Sequence, residues 1–276
     1  MNRFLEIAKT GRNKWWAYVL TILSTIAAVA IANIALQKAV PALKAIIPDN
    51  TFGKDLSTFI LVACIFGLAL LTLFFTFHKF HKRPVFTLIN TINRFSWALY
   101  LKGFFIWGGL LFAAALITDY DLFQNFLNKF NLSHFIILLL AGFISIGIQS
   151  FFEEVLVRGY WLQGMSLRIK KTVYLVIVNG LVFGILHFGY GIESFLSSWI
   201  FGIAFALIVL RMERIGFAAG VHNANNLVLA LFFLDLGDAV KEDFLWTIDW
   251  LGLCLHLFIT FLLVLIVYKF FPIKNE

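Results

Sequence analysis

Apolar runs recur along the whole chain, each close to the roughly 20 residues that cross a bilayer as a helix. Eight can be drawn: Trp15–Leu36, Phe59–Phe77, Trp97–Ile117, Phe135–Leu162, Val173–Tyr190, Phe195–Leu210, Ile215–Leu234 and Trp250–Phe271. The runs are continuous and do not alternate apolar with polar at every second residue, as the strands of a membrane barrel do. The pattern therefore predicts an all-α fold, a polytopic membrane helix bundle of about eight transmembrane helices. The first run is too long for the apolar part of a signal peptide and has no evident small-residue cleavage site, so a retained span is expected. Composition agrees: 61% of the 276 residues are hydrophobic and 13% charged, and 33 Phe with 8 Trp exceed what one soluble core needs.

Charge reports orientation. The net charge is +7, but the basic residues are not gathered in one patch, so no nucleic-acid partner is expected. They alternate between loops instead. Arg3, Lys9, Arg12 and Lys14 precede the first span, and Lys79, Lys82, Arg83 and Arg94 follow the second. Arg158, Arg168, Lys170 and Lys171 lie at and after the end of the fourth, Arg211 and Arg214 after the sixth, and Lys269 and Lys274 at the end. That places 16 on one side, or 15 with Arg158 taken into its span, against 5 on the other (Lys38, Lys44, Lys54, Lys129, Lys241). The positive-inside rule then puts both termini in the cytoplasm. The acidic loop with Asp235, Asp238, Glu242, Asp243 and Asp249 is expected to be solvated and extracytoplasmic. Cys64 and Cys254 lie far apart in apolar runs, without metal-ligand spacing or a disulfide framework. The sequence has no internal repeat, low-complexity segment or separate soluble domain.

Against this background the polar residues inside the apolar runs stand out. An ionisable group at membrane depth costs roughly 2.5 kcal/mol to well above 10, so such groups face a protein interior and carry function. Glu153-Glu154-Val155-Leu156-Val157-Arg158 follows Phe151-Phe152 and precedes Gly159-Tyr160-Trp161. Phe183-Gly184-Ile185-Leu186-His187 and His222-Asn223-Ala224-Asn225-Asn226 follow on later spans. On a helix, residues four apart share a face. Glu154 and Arg158 are therefore placed for an ion pair that lowers the cost of both charges. Glu153 points elsewhere, with no local partner, as a general acid or base would. His222 and Asn226 share one face, while Gly216, Gly220 and Ala224 form a small-residue stripe suited to close packing on another helix. Gly180 and Gly184 permit close approach near His187. The alternative is a set of interfacial charges and structural histidines.

Depth tests whether the three motifs can meet. If the fourth span ended at Phe152, Glu153 would be cytoplasmic and His187 nearer the outer face. If the span continues through Leu162, Glu153, His187 and His222 each sit about 7 to 11 residues from the cytoplasmic boundary. At 1.5 Å per residue that is roughly 10 to 16 Å deep.

Glu-Glu-x-x-x-Arg, then Phe-x-x-x-His, then His-x-x-x-Asn, in that order on successive apolar segments, resembles the CPBP family. These are the CAAX proteases and bacteriocin-processing enzymes, also called Abi and related to the Rce1 prenyl-protein endopeptidases. The matching residues are Glu153, Glu154 and Arg158; Phe183 and His187; His222 and Asn226. The resemblance covers about 135–236 and implies a catalytic core there, between N-terminal helices in 1–134 and a last helix in 237–276. It implies an intramembrane endopeptidase acting on a membrane-associated peptide or protein within the lipid bilayer. In that reading Glu153 and His187 activate a water, His222 and Asn226 stabilise the oxyanion, and Glu154 and Arg158 position Glu153. Such donors in a low-dielectric cavity are worth several kcal/mol. Members are commonly called metalloproteases, and Glu153, His187 and His222 would make a His2Glu zinc site. The sequence lacks His-Glu-x-x-His, however, and the Glu-His-Asn set suffices without metal, so no cofactor is favoured and zinc stays open. The compact chain resembles bacterial members, whose proposed roles include peptide processing and self-immunity. The expected location is the cell membrane, multi-pass, or the endoplasmic reticulum membrane for a eukaryotic chain. A non-catalytic membrane scaffold or immunity partner is the alternative, and a proton-coupled transporter the third reading.

Overall fold

The computed structural model describes residues 2–44, 46–48, 50–92, 94–233 and 246–271, with backbone alone for 37 and 40–44. Among these the regular structure is helical, with one isolated bridge between Asn90 and Arg214 and no strand. In chain order the α-helices are α1 (Arg3–Glu6), α2 (Trp15–Lys44), α3 (Thr51–His81), α4 (Trp97–Thr118), α5 (Tyr120–Asn128) and α6 (Leu132–Glu154). Then come α7 (Gln163–Ser166), α8 (Thr172–Leu186), α9 (Ile192–Met212), α10 (Gly216–Val228) and α11 (Trp250–Phe270). Polar caps start the long ones: the side chains of Asn50, Ser96, Asn131 and Asp249 accept from the first-turn amides of α3, α4, α6 and α11.

Among the described residues, six helices are long and apolar enough to cross a bilayer: Trp15–Leu36, Thr51–His81, Trp97–Thr118, Leu132–Ser166, Ile192–Met212 and Trp250–Phe270. The protein is a multi-pass helical membrane protein. The segments of the other two expected spans form shorter helices. α8 is an apolar helix of 15 residues, and α10 has 13 residues before a π-helical turn at Leu229–Phe233. Leu234 and the acidic loop up to Glu242 and Asp243 lie outside the described residues, as do Lys241 and Lys274. Cys64 and Cys254 are both free and exposed.

The outer faces of α3, α4, α6 and α11 expose Leu71, Phe75, Phe105, Ile144, Phe258 and Phe261. Such apolar surface suits lipid and would be a liability in water. The inside is organised around α10, which is buried at every position from Gly216 to Ala224. Glycine makes this possible. A Cβ on Gly220 would run into the Tyr100 carbonyl on α4, and one on Gly103 into the Phe217 carbonyl on α10. Ala224 in turn packs against Gly108. α8 and α9 meet the same way: a Cβ on Gly180 would lie 2.7 Å from the Trp199 carbonyl, and one on Gly184 2.9 Å from that of Phe195. The stripes on both helices therefore do what small residues do in membranes, letting backbones approach.

The fourth span continues past Phe152, as the depth argument required. The α-helical ladder of α6 gives way at Val155 to a π-helical stretch, Val155–Leu162, and resumes in α7. Contacts at the far end anchor this stretch. His81 Nε2 lies 2.9 Å from the Tyr160 hydroxyl, and Arg83 donates to Gln163 Oε1 at 2.7 Å. Gln163 donates to the Thr87 carbonyl at 2.7 Å. Burial pushes the Arg83 guanidinium down to about 10, so it stays charged at neutral pH. The N-terminal turn docks on the same end, with Asn2 donating to the Leu210 carbonyl and Arg3 paired with Glu213 at 3.0 Å.

Candidate active site

The last turn of α6 brings Glu153 and Glu154 to the centre of the bundle, and the π-helical stretch brings Arg158. Glu154 and Arg158 are fully buried, and Arg158 donates to Glu154 Oε1 at 2.9 Å. This is the expected pair one turn apart. Arg158 also donates to the Gly202 carbonyl on α9 at 3.3 Å. Its guanidinium lies 4.3 Å from the Phe183 ring centre and 5.0 Å from that of Phe205. The charge is thus held by one carboxylate, one carbonyl and two aromatic faces, the company a buried cation needs.

His222, buried on α10, closes the set. Its Nδ1 lies 3.0 Å from Glu154 Oε1, so the Nδ1 hydrogen is donated to the carboxylate. Its Nε2 lies 3.7 Å from Glu153 Oε2. Glu154 thus engages His222 in addition to its expected partner Arg158. The reason is directional: adjacent residues on a helix point about 100° apart, and only Glu154 faces both groups. Glu153 was expected to lack a local partner. It has one, because Gln149, one turn earlier, donates Nε2 to its Oε1 at 3.2 Å.

His187 ends α8, with its Nδ1 2.9 Å from the Phe183 carbonyl. That bond leaves Nε2 as the acceptor in the neutral ring. Phe183 lies between the histidines: its ring centre is 4.6 Å from His187 and 5.6 Å from His222. Glu153 and His222 are near enough to His187 to act on it electrostatically. Five of the six expected site residues therefore share one neighbourhood, with Glu154, Arg158 and His222 buried and Glu153 and His187 half-buried. Asn226 lies one turn beyond His222 on α10. Its Oδ1 accepts from Asn225 at 3.1 Å, and no described hydrogen bond joins it to the glutamates or histidines. Among the described residues no three of His, Cys, Asp and Glu are gathered as ligands for a metal ion, so Glu153, His187 and His222 do not form the zinc set in this arrangement.

Three contributors escaped the sequence reading, and a fourth, Asn223, was quoted within its motif without a role. Gln149 obeys the same four-residue spacing as the Glu154–Arg158 pair and was legible by that rule. Asn179 is an intramembrane polar residue on α8; it donates to the Val157 carbonyl inside the π-helical stretch at 2.9 Å. Asn223 donates to the Tyr100 hydroxyl at 2.6 Å and fixes α10 against α4. Phe205, apolar within an apolar run, gave no signal.

Residues 132–228, from the first residue of α6 to the last of α10, match the family described as "Type II CAAX prenyl endopeptidase Rce1-like". The chain carries an Rce1-like domain over this segment, within the CPBP family whose motifs it resembles, and the match supports an intramembrane protease of the CAAX type. A relative spans most of the chain: "Uncharacterized protein YyaK" of Bacillus subtilis (strain 168) is 28% identical over 250 residues, covering 85% of this chain and 83% of that protein. No solved structure matches.

Proposed function

We propose that the protein is an intramembrane endopeptidase that hydrolyses a peptide bond of a membrane-anchored protein or peptide, with the CAAX terminus as the first substrate class. The observation that carries this reading is the buried meeting of Glu153, Glu154, Arg158 and His222 beside His187. A scaffold needs no such concentration of ionisable groups, whose burial is costly.

Each step is carried by the chain's own side chains. A water between Glu153 and His187 gives its proton to Glu153 as its oxygen attacks the scissile carbonyl, while His187 Nε2 accepts the water's second hydrogen bond. The carbonyl oxygen becomes an oxyanion, met by the Asn226 amide and by His222. His222 faces both carboxylates, Glu153 through Nε2 and Glu154 through Nδ1. Collapse breaks the C–N bond, and the proton held by Glu153 passes to the leaving amine. Arg158 holds Glu154, and Glu154 holds the His222 ring.

A neighbouring groove offers room for the apolar part of a membrane substrate. It has a volume of about 430 Å³ and is lined by Leu70, Phe95, Trp97, Tyr100, Phe143 and Phe151. At Gly147 its wall is bare backbone, and a Cβ there would lie 3.3 Å from both Asn223 and the Tyr100 hydroxyl.

The test compares peptide termini in membranes of cells carrying the wild-type protein or Glu153→Gln at equal expression. Termini that appear only with the wild type are expected, and they name the substrates. Identical termini, with the variant still rescuing a deletion phenotype, would favour the scaffold reading.

A further inference from the structure

Gln149 lies outside the three motifs and has no task in the steps above. It sits half-buried on α6, and its amide holds one oxygen of the Glu153 carboxylate, Oε1. The other, Oε2, is buried, accepts from no described protein group, and faces His222 Nε2 at 3.7 Å. A carboxylate at the end of a flexible side chain can present either oxygen. A donor fixed to one of them decides which is presented, and side chains around a reacting group must be held to a fraction of an ångström.

We propose that Gln149 is a positioning residue for the hydrolysis: it clamps Glu153 by Oε1 so that Oε2 faces the reacting water. The inference rests on the functional reading above and deepens it. The charged and titratable groups around Glu153 are Glu154 and Arg158 on its own span, His222 from α10 and His187 from α8. Glu154 and Arg158 are engaged with each other, His222 Nε2 faces Oε2, and His187 Nδ1 is bonded to the Phe183 carbonyl, which leaves Gln149 as the donor described for Oε1. The glutamine thereby turns two equivalent oxygens into one anchor and one base.

The experiment uses the full-length protein in proteoliposomes and an internally quenched, prenylated peptide ending in a CAAX tetrapeptide. Gln149→Met keeps the length of the side chain and removes the donor. It is expected to lower kcat roughly tenfold to a hundredfold, the worth of a hydrogen bond to a charged group, with KM changed by less than about twofold. Gln149→Glu restores a donor only when the two carboxyl groups share a proton. Its pH–rate maximum is expected below that of the wild type, an effect that lost packing alone does not produce. Thermal unfolding in detergent identifies a variant that fails to fold, and Gln149→Glu then carries the test alone. Wild-type cleavage with an unchanged kcat in Gln149→Met, or a wild-type pH profile in Gln149→Glu, overturns the inference and leaves the functional reading standing. A wild-type protein that leaves the peptide whole overturns the CAAX reading, and the inference falls with it.

Discussion

At the scale of single residues, the site is a division of labour between two adjacent glutamates. Glu153 is partly accessible and faces His222 across 3.7 Å, whereas Glu154 is sealed between Arg158 and His222. Their replacements should therefore fail differently. Glu153→Gln is expected to abolish cleavage, with a loss on the order of 10² to 10⁴, while the protein unfolds at its normal temperature. Arg158→Met leaves Glu154 buried without its cation and is expected to cost about 3–5 kcal/mol of stability. Combined with Glu154→Gln, it should cost less than the two single changes summed, a coupling that a double-mutant cycle of detergent unfolding measures. The Glu154–Arg158 pair was legible in the sequence because it obeys helical spacing. The bond from His222 to Glu154 was not, because it joins positions 68 apart and depends on how α10 lies against α6.

At the scale of elements, the site depends on one irregular segment and one unusually close packing. The segment is the π-helical stretch Val155–Leu162. Apolar periodicity over 135–162 reads as one span and carries no trace of the change in winding, because all its residues are compatible with an α-helix. Asn179 supports the stretch from α8 through the Val157 carbonyl. Asn179→Leu should therefore lower stability by about 1–3 kcal/mol and reduce cleavage without touching a reacting group; paired unfolding and rate measurements check this. The close packing is that of α4 on α10. Gly220→Ala places a methyl against the Tyr100 carbonyl. Because backbone cannot move aside as a side chain can, a loss of at least about 1–3 kcal/mol is expected. The same change at Gly109, where a Cβ meets nothing within 4 Å, should be close to neutral. The small-residue stripe was visible in the sequence, but its partner helix was not.

At the scale of the whole molecule, a lipid-facing shell surrounds a polar centre built mainly by α6, α8, α9 and α10. The basic ends of these helices gather with the N-terminal turn at one end of the bundle, where Asn2 meets Leu210, Arg3 meets Glu213, and Arg83 meets Gln163. The positive-inside rule predicts that this end faces the cytoplasm. Reporter fusions that signal only in the cytoplasm should therefore be active at both termini; activity at one terminus alone would mean an odd number of spans. The sequence by itself determined the class of fold, since continuous apolar runs leave the bilayer helix as the way to satisfy their backbone. It also determined the candidate residues, since ionisable groups in such runs are too costly to be incidental. Only the tertiary structure decided that His222 bonds to Glu154, that Phe205 packs on Arg158, and that Asn226 stands apart in its contacts. Those outcomes depend on the direction of each side chain and the winding of one helix, which long-range packing sets and a local pattern of residues does not encode.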